Sequence, residues 1–225
     1  MRWAIWPALF GTAAVGVWAG ELGQSLPSFS ADYVETSNAH IVDPDPYPEP
    51  VVIRGRYVRD REGRVRQEDW VEIGAGKRRE RYRVVIADQT VGISYELQAD
   101  QKLAVSAPIP KRRKPGERAK QPPVPLPAGV KAPRHEFLGV REIEGFECRG
   151  SRMYLPREDA YMETWWCPEI GYPAEMTVKE PTGIVHVKRW YNFQLGIEPD
   201  PALFRVPEGF TIVDRRIQPN PKCCP

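Results

Sequence analysis

The residues of this sequence best able to do chemistry are four cysteines, three histidines and two carboxylates beside a tryptophan pair, and their spacing decides which chemistry is open. Cys148, Cys167, Cys223 and Cys224 show no C-x-x-C spacing of the kind that holds zinc. His40, His135 and His186 are isolated, so no helix face carries two imidazoles for a metal. The serines lack a G-x-S-x-G elbow, and neither a phosphate-cradling G-x-x-x-x-G-K-[ST] nor a dinucleotide G-x-G-x-x-G is present; Gly74-Ala75-Gly76 reads as a turn. Glu163, beside Trp165 and Trp166 and with Glu169 as partner, has the residue types of a sugar hydrolase's acid–base pair. An expected cross-strand contact with Arg152 gives it a structural role instead. The expectation is a protein that is not an enzyme and has no metal or cofactor.

The cysteines are read by the compartment in which they fold. Arg2 precedes an uncharged apolar run from Trp3 to Gly20 that ends in small residues around Val17, Trp18 and Ala19. This is the pattern of a secretory leader cleaved after Ala19, leaving Gly20 to Pro225. An uncleaved anchor is the alternative at this length; Pro7 and the small-x-small ending favour cleavage. No cysteine stands at the cleavage point to take a lipid, so the product is expected to be periplasmic or secreted and not integral to the membrane. Outside the cytosol an even cysteine count favours bridges over catalytic thiols.

One bridge follows from strand register. Cys148 and Cys167 lie in strand-like stretches on either side of the polar turn 156–159. With those four residues as the loop, Tyr154 faces Tyr161, Arg152 faces Glu163, Gly150 faces Trp165 and Cys148 faces Cys167, all on one face. Directly opposed antiparallel residues are close enough for a disulfide. Two free buried thiols are the alternative. Cys223 and Cys224, past the prolines at 219 and 221, can pair with each other, with another molecule or not at all.

The elements that position these groups are further hairpins. With 60–63 as a loop, Val58 is expected opposite Val65, Arg54 opposite Asp69, Ile53 opposite Trp70, and Val52 opposite Val71. With 180–183 as a loop, Val178 is expected opposite Val185, Met176 opposite Val187, and Glu175 opposite Lys188. Residues 83–88 form a short apolar run, Ile93, Tyr95 and Leu97 alternate with polar Ser94 and Glu96, and residues 29–35 open the sheet. Twenty-four prolines and 18 glycines in 225 residues exclude a helical bundle. Short helical turns fit only 20–27 and 198–204, the second capped by Asp200 and stapled by Leu203 and Phe204. The class is mainly β, α+β at most: one curved antiparallel sheet or half-barrel over residues 20–214, with a flexible tail at 215–225.

Two stretches stand outside this pattern. Residues 43–50 alternate proline with other residues, as an extended connector does. Residues 108–134 hold eight prolines and eight Lys or Arg against one acid, Glu117. Within them Lys111, Arg112, Arg113 and Lys114 form a cluster suited to an anionic membrane surface or polymer; a solvated tether is the alternative. The chain as a whole balances 32 basic against 30 acidic residues, which excludes a nucleic-acid binder working through bulk charge.

The surplus of aromatics is the remaining functional signal. Trp70, Tyr154, Tyr161, Trp165, Trp166 and Trp190 fall on expected strands, where neighbours such as Trp165 and Trp166 point to opposite faces. If the sheet is curled, its concave side offers these rings to an apolar guest. The alternative is that a cover segment, such as the C-terminal stretch, fills the hollow. The stretches RDREGRVRQE (59–68), VIAD (85–88), GISYEL (92–97), LG (138–139), IEG (143–145) and EPDPALFRVP (198–207) resemble a family of secreted bacterial proteins of unassigned function. That layout is similar to the LolA/RseB-like superfamily, which implies an antiparallel half-barrel with an apolar cavity for lipid or lipoprotein acyl chains. The resemblance carries over no individual functional residue. The resulting expectation is an exported binding protein for an apolar ligand, a lipid or lipoprotein, on the concave face. The alternative is an envelope interaction protein that contacts a protein or anionic polymer through its basic loop.

Overall fold

The computed structural model describes residues 27–38, 52–73, 78–109, 133–155 and 160–215. The leader, the 43–50 connector, Lys111, Arg112, Arg113 and Lys114, the 156–159 loop, His40, Cys223 and Cys224 lie outside the described residues.

The described residues build a single sheet from β1 (Phe29–Ser37), β2 (Val52–Arg59), β3 (Arg64–Ile73), β4 (Arg78–Asp88), β5 (Ile93–Gln98), β6 (Leu103–Pro108), β7 (Arg134–Ile143), β8 (Phe146–Tyr154), β9 (Tyr161–Cys167), β10 (Tyr172–Lys179), β11 (Val185–Leu195) and β12 (Thr211–Asp214). Their order across the sheet is β12-β6-β5-β4-β3-β2-β1-β11-β10-β9-β8-β7. The first strand is therefore central. One wing meanders outward from β1 through β6, and the other runs from the far edge at β7 back to pair β11 with β1. All neighbours are antiparallel except β12, which lies parallel to β6. A parallel neighbour needs a crossover rather than a hairpin, and here the chain returns to β6 only after building the whole second wing. The described residues also include two 3-10 turns, Ala99–Gln101 and Pro201–Phe204; Asp200 caps the second by accepting the Ala202 N–H at 2.8 Å, as the sequence predicts.

The β8–β9 hairpin has the predicted register, with Tyr154 opposite Tyr161, Arg152 opposite Glu163 and Gly150 opposite Trp165. The Cys148–Cys167 disulfide forms across it, with Cα atoms 4.1 Å apart. The other two hairpins each slip by one residue from expectation. Val58 faces Arg66, Arg54 faces Trp70, Ile53 faces Val71 and Val52 faces Glu72. On β10 and β11, Val178 faces His186, Met176 faces Lys188 and Glu175 faces Arg189. The cause is the same in both: the loops hold three residues, not four. Asp60 donates its N–H to the Arg64 carbonyl at 3.1 Å, and Glu180 donates to Ile184 at 2.8 Å. The last loop residue, Gly63 at φ +81° or Gly183 at φ +88°, takes the left-handed conformation that a three-residue hairpin loop demands. Asp60 reinforces its loop by accepting the Arg64 N–H at 2.8 Å and Nε at 2.6 Å.

Bulges bend the sheet, at Ser30/Asp32 between β1 and β11, Asp69/Trp70 between β3 and β4, Phe137/Gly139 between β7 and β8, and Pro173/Glu175 between β9 and β10. Pro173 thus occupies one of the few interior-strand positions that tolerate a missing N–H. The bend is sharp. Tyr57 on β2 and Tyr172 on β10 have ring centroids 4.5 Å apart although β1 and β11 lie between them, and Phe146 on β8 reaches Phe193 on β11 at 5.6 Å. Three strand spacings on a flat sheet would separate such residues by roughly 14 Å. The sheet curls toward the face that carries Phe29, Tyr33 and Tyr57, called the inner face below.

Two buried clusters result, on opposite faces. Phe29, Tyr33, Tyr57, Trp165, Tyr172 and Trp190 lead the larger one, which fills the inner side around the centre of the sheet. The smaller one joins Val58, Val84, Ile86, Leu97 and Ala104 to Phe204 from the capped turn, with Ile197, Val206 and Phe210 packed against it. By strand alternation Val58, Ile86, Leu97 and Ala104 belong to the outer face. The C-terminal stretch therefore does cover the sheet, but on the outer side of the β3–β6 wing rather than within the hollow.

Candidate functional site

The six aromatics singled out from the sequence do not converge on one cleft. Trp165 and Trp190 are 8% and 4% exposed and belong to the inner cluster. Trp190 packs edge-on to Tyr172 at 5.4 Å and tilts against Tyr33 at 6.1 Å. Its Nε1 is buried with no hydrogen-bond acceptor among the described residues, so ring packing and the Lys188 ammonium, 5.3 Å from the centroid, hold it. Trp165 is pinned from outside its ring by Arg141, 3.9 Å from the centroid, and donates its Nε1–H to Glu163 at 2.9 Å. Tyr154 and Tyr161 pair with each other at 6.4 Å near the β7 edge, under the guanidinium groups of Arg134 and Arg152. Trp166 is half-buried opposite Arg149 and Pro173, and Trp70 is half-buried opposite Arg54 and Arg81. Glu163 accepts from Arg152 Nη2 at 2.8 Å as well as from Trp165, which is the structural role its sequence context suggested.

A buried polar seam marks where the ring-filled half of the inner face ends. Tyr33 on β1 lies across Gly55 on β2, where any Cβ would collide with the ring, and its hydroxyl donates to Asp69 on β3. Asp69 also accepts Gln67 Nε2 at 3.0 Å and Arg83 Nε at 3.0 Å. Lys188 on β11 lies over the Tyr33 ring at 3.9 Å and 3.6 Å from Glu35. Burial pushes the Lys188 ammonium below the usual lysine range, against the pull of Glu35 and Asp69. Burial likewise pushes the Asp69 carboxyl up, opposed by Arg83 and Lys188. At the other end, Arg59 stacks on Phe29 at 4.5 Å and donates to the carbonyls of Ile170 and Pro27 at 2.6 and 2.9 Å. It thereby ties β2 to the turn after β9 across the curl.

Beyond the seam the inner face changes character. Following the register outward from β3, Val65, Ala87, Ser94 and Ala107 form one cross-strand row, and Gln67, Val85, Glu96 and Val105 the next. These residues are small or aliphatic, apart from Gln67 and Glu96, and every one is half-buried. The outer face of the same strands buries Val84, Ile86, Leu97 and Ala104. In this wing the outer face is covered by residues 197–210, while the inner face carries a half-buried lining of short side chains on which, among the described residues, no second cluster is built. The alternation expected in β5 is present: Leu97 is buried on the outer face, and Ser94 and Glu96 stay partly exposed on the inner face. The available signal for this lining was that Val85, Ala87, Val105 and Ala107 are too small to fill a concavity that rings fill elsewhere.

A second feature is a cavity of about 300 Å³ at the Ser30/Asp32 bulge, lined by Ser30, Asp32, Arg56, Asn192, Phe193 and Gln194 among others. Its lining is mostly polar. Asn192, at φ +54°, supplies the bulge on β11 and donates from Nδ2 to Asp32 at 3.1 Å. Among the described residues no three His, Cys, Asp or Glu side chains converge to hold a metal, and no helix is long and apolar enough to cross a membrane.

No family model and no curated protein matches the chain. Solved structures do. An uncharacterized conserved protein from Thermus thermophilus is similar at a TM-score of 0.51 with 12% identity, over 85% of this chain and 91% of that one. At this identity the likeness shows a shared fold. The chain is also similar to the MucA/MucB complex of Pseudomonas aeruginosa (TM-score 0.45, 15% identity, 80% of this chain), spanning 56% of that chain's length. A LolA superfamily protein from Nitrosomonas europaea is similar at a TM-score of 0.36 and 8% identity, over 83% of this chain and 94% of that one.

Proposed function

We propose that this chain is an exported, non-catalytic binding protein that holds an apolar guest, a lipid or a lipoprotein acyl chain, along the inner face of the β3–β6 wing. The observation that carries this reading is the inversion of burial in that wing: Val85, Ala87, Val105 and Ala107 line the inner side half-buried, next to Val65 at the border of the ring cluster, while the outer side is closed by Phe204 and its neighbours. A sheet that curls around its own aromatic rings on one half and around short aliphatic side chains on the other leaves, in the second half, a volume that apolar chains fill favourably. The polar seam of Tyr33, Asp69, Arg83 and Lys188 supplies the inner end of that volume with groups suited to a carboxyl or ester head. Trp165 and Trp190 then serve as the packed wall behind the seam. The secretory leader pattern and the Cys148–Cys167 bridge support an address outside the cytosol.

The test is native mass spectrometry on protein recovered from an envelope fraction without detergent. The wild type is expected to carry an adduct of lipid mass, and Val85→Glu, which places a charge in the middle of the lining, is expected to lose it while retaining the disulfide and the β circular-dichroism spectrum. A wild type that flies bare, or an adduct untouched by Val85→Glu, would contradict the assignment. The same spectrum reads whether the chain begins at Gly20.

A further inference from the structure

We infer that β7, the long edge of the sheet, is a docking strand for a second copy of this chain, the two copies pairing antiparallel about a two-fold axis between Leu138 and Gly139. The two edges of the sheet differ. β12 is four residues long, whereas β7 runs for ten and, among the described residues, has a neighbour on one side only. Short edge strands protect a sheet from further pairing; long ones invite it. At the centre of β7, Phe137 and Val140 are 68% and 53% exposed.

The occupant follows from charge. About that axis, Phe137 meets the second copy's Val140, Glu136 meets its Arg141, and His135 meets its Glu142. These three pairs match apolar with apolar and polar with polar, and each occurs twice by symmetry; only at the strand ends, where Arg134 meets Ile143, is the match lost. Facing residues of an antiparallel pair must share a face of the sheet, which an unbroken strand would forbid for positions separated by an odd number. The bulge at Phe137/Gly139 lifts that restriction. Glu136 and Arg141 lie opposite Arg152 and Cys148, which share one face of β8, and Phe137 and Val140 lie opposite Ser151 and Arg149 on its other face. A bulge ordinarily blunts an edge. Here it stands at the centre of the self-complementary pattern and brings both halves into phase. Contacts within the copy hold the central charges in place without hiding them: Tyr154 donates to Glu136 at 2.7 Å and Arg141 bridges to Glu175 at 3.0 Å, while the Glu136 and Arg141 side chains stay 46% and 42% exposed.

Sedimentation of the whole mature chain tests this, with charge exchange at the outer pair, whose side chains make no hydrogen bond or ion pair among the described residues. A dimer is expected by about 100 µM, since a single added strand pair is a small interface. His135→Glu and Glu142→Lys are each expected to weaken it about tenfold, counting two symmetric pairs per dimer. The double variant H135E/E142K sets a lysine at position 142 of each copy against a glutamate at position 135 of the other, in place of the histidine–carboxylate pair, and is expected to recover association at least to the wild-type level. Phe137→Asp is expected to abolish it. A wild type that stays monomeric, alone or with a different protein chain attached, overturns the inference, as does a dimer indifferent to these substitutions.

Discussion

Lys188 and Asp69 are the residues where burial and charge conflict most directly. Both sit in the seam between the ring-filled and open parts of the hollow, and each is displaced from its ordinary ionisation by desolvation. For Lys188 the folded-state value lies below the ordinary 10.5. Between that depressed value and 10.5 the unfolded chain therefore binds more protons than the folded one, and stability rises with pH across the window. Tyr172 acts in the opposite sense: burial keeps its phenol protonated well above the ordinary 10.0, so the unfolded state ionises first and stability falls above that pH. Urea unfolding of wild type and Lys188→Met at several alkaline pH values separates the two, because Tyr172 contributes equally to both proteins. The difference between them is expected to grow in favour of the wild type as pH approaches 10.5. A pH-independent difference would mean that Lys188 is not buried as described. At the same scale, removing the bridge by C148S/C167S is expected to cost roughly 3 kcal/mol of unfolding free energy, the chain-entropy value for its 19-residue separation.

Among the elements, the hairpins show what the sequence could and could not disclose. The β8–β9 register was legible because three complementary pairs and two cysteines all required it. The β2–β3 and β10–β11 registers were equally self-consistent one residue away, since Val, Arg and Glu recur on adjacent positions of those strands. What decides between them is the left-handed glycine closing each loop, a backbone property that side-chain pairing does not reveal. Gly63→Ala and Gly183→Ala are each expected to lower stability by about 1–2 kcal/mol, the cost of a Cβ in that conformation, additively because the loops are far apart. Thermal unfolding of the single and double variants checks this. The capped turn before Phe204 was legible from Asp200 and its prolines, but its destination was not: nothing in residues 198–207 says which face of the sheet they cover. The same limit explains why the aromatic residues pointed to a ring-lined hollow. Their number signals burial, and only the curl, set by four bulges, decides that they pack against one another.

One sheet, buried from opposite sides in its two halves, underlies the whole molecule. The ring-filled half is closed by its own side chains, by Arg59 across the curl and by the disulfide. The other half is covered on its outer face by residues 197–210, and its inner lining, from Val65 through Val85, Ala87, Val105 and Ala107, is the surface proposed above to take a guest. Methyl NMR with a doxyl-labelled fatty acid reads this directly, since the spin label broadens only resonances near the bound chain. The methyl groups of Val65, Val85, Ala87, Val105 and Ala107 are expected to broaden together and saturably, while those of Val84, Ile86 and Ala104 on the sealed face keep their intensity. Broadening confined to the sealed face, or absent throughout, would contradict the account.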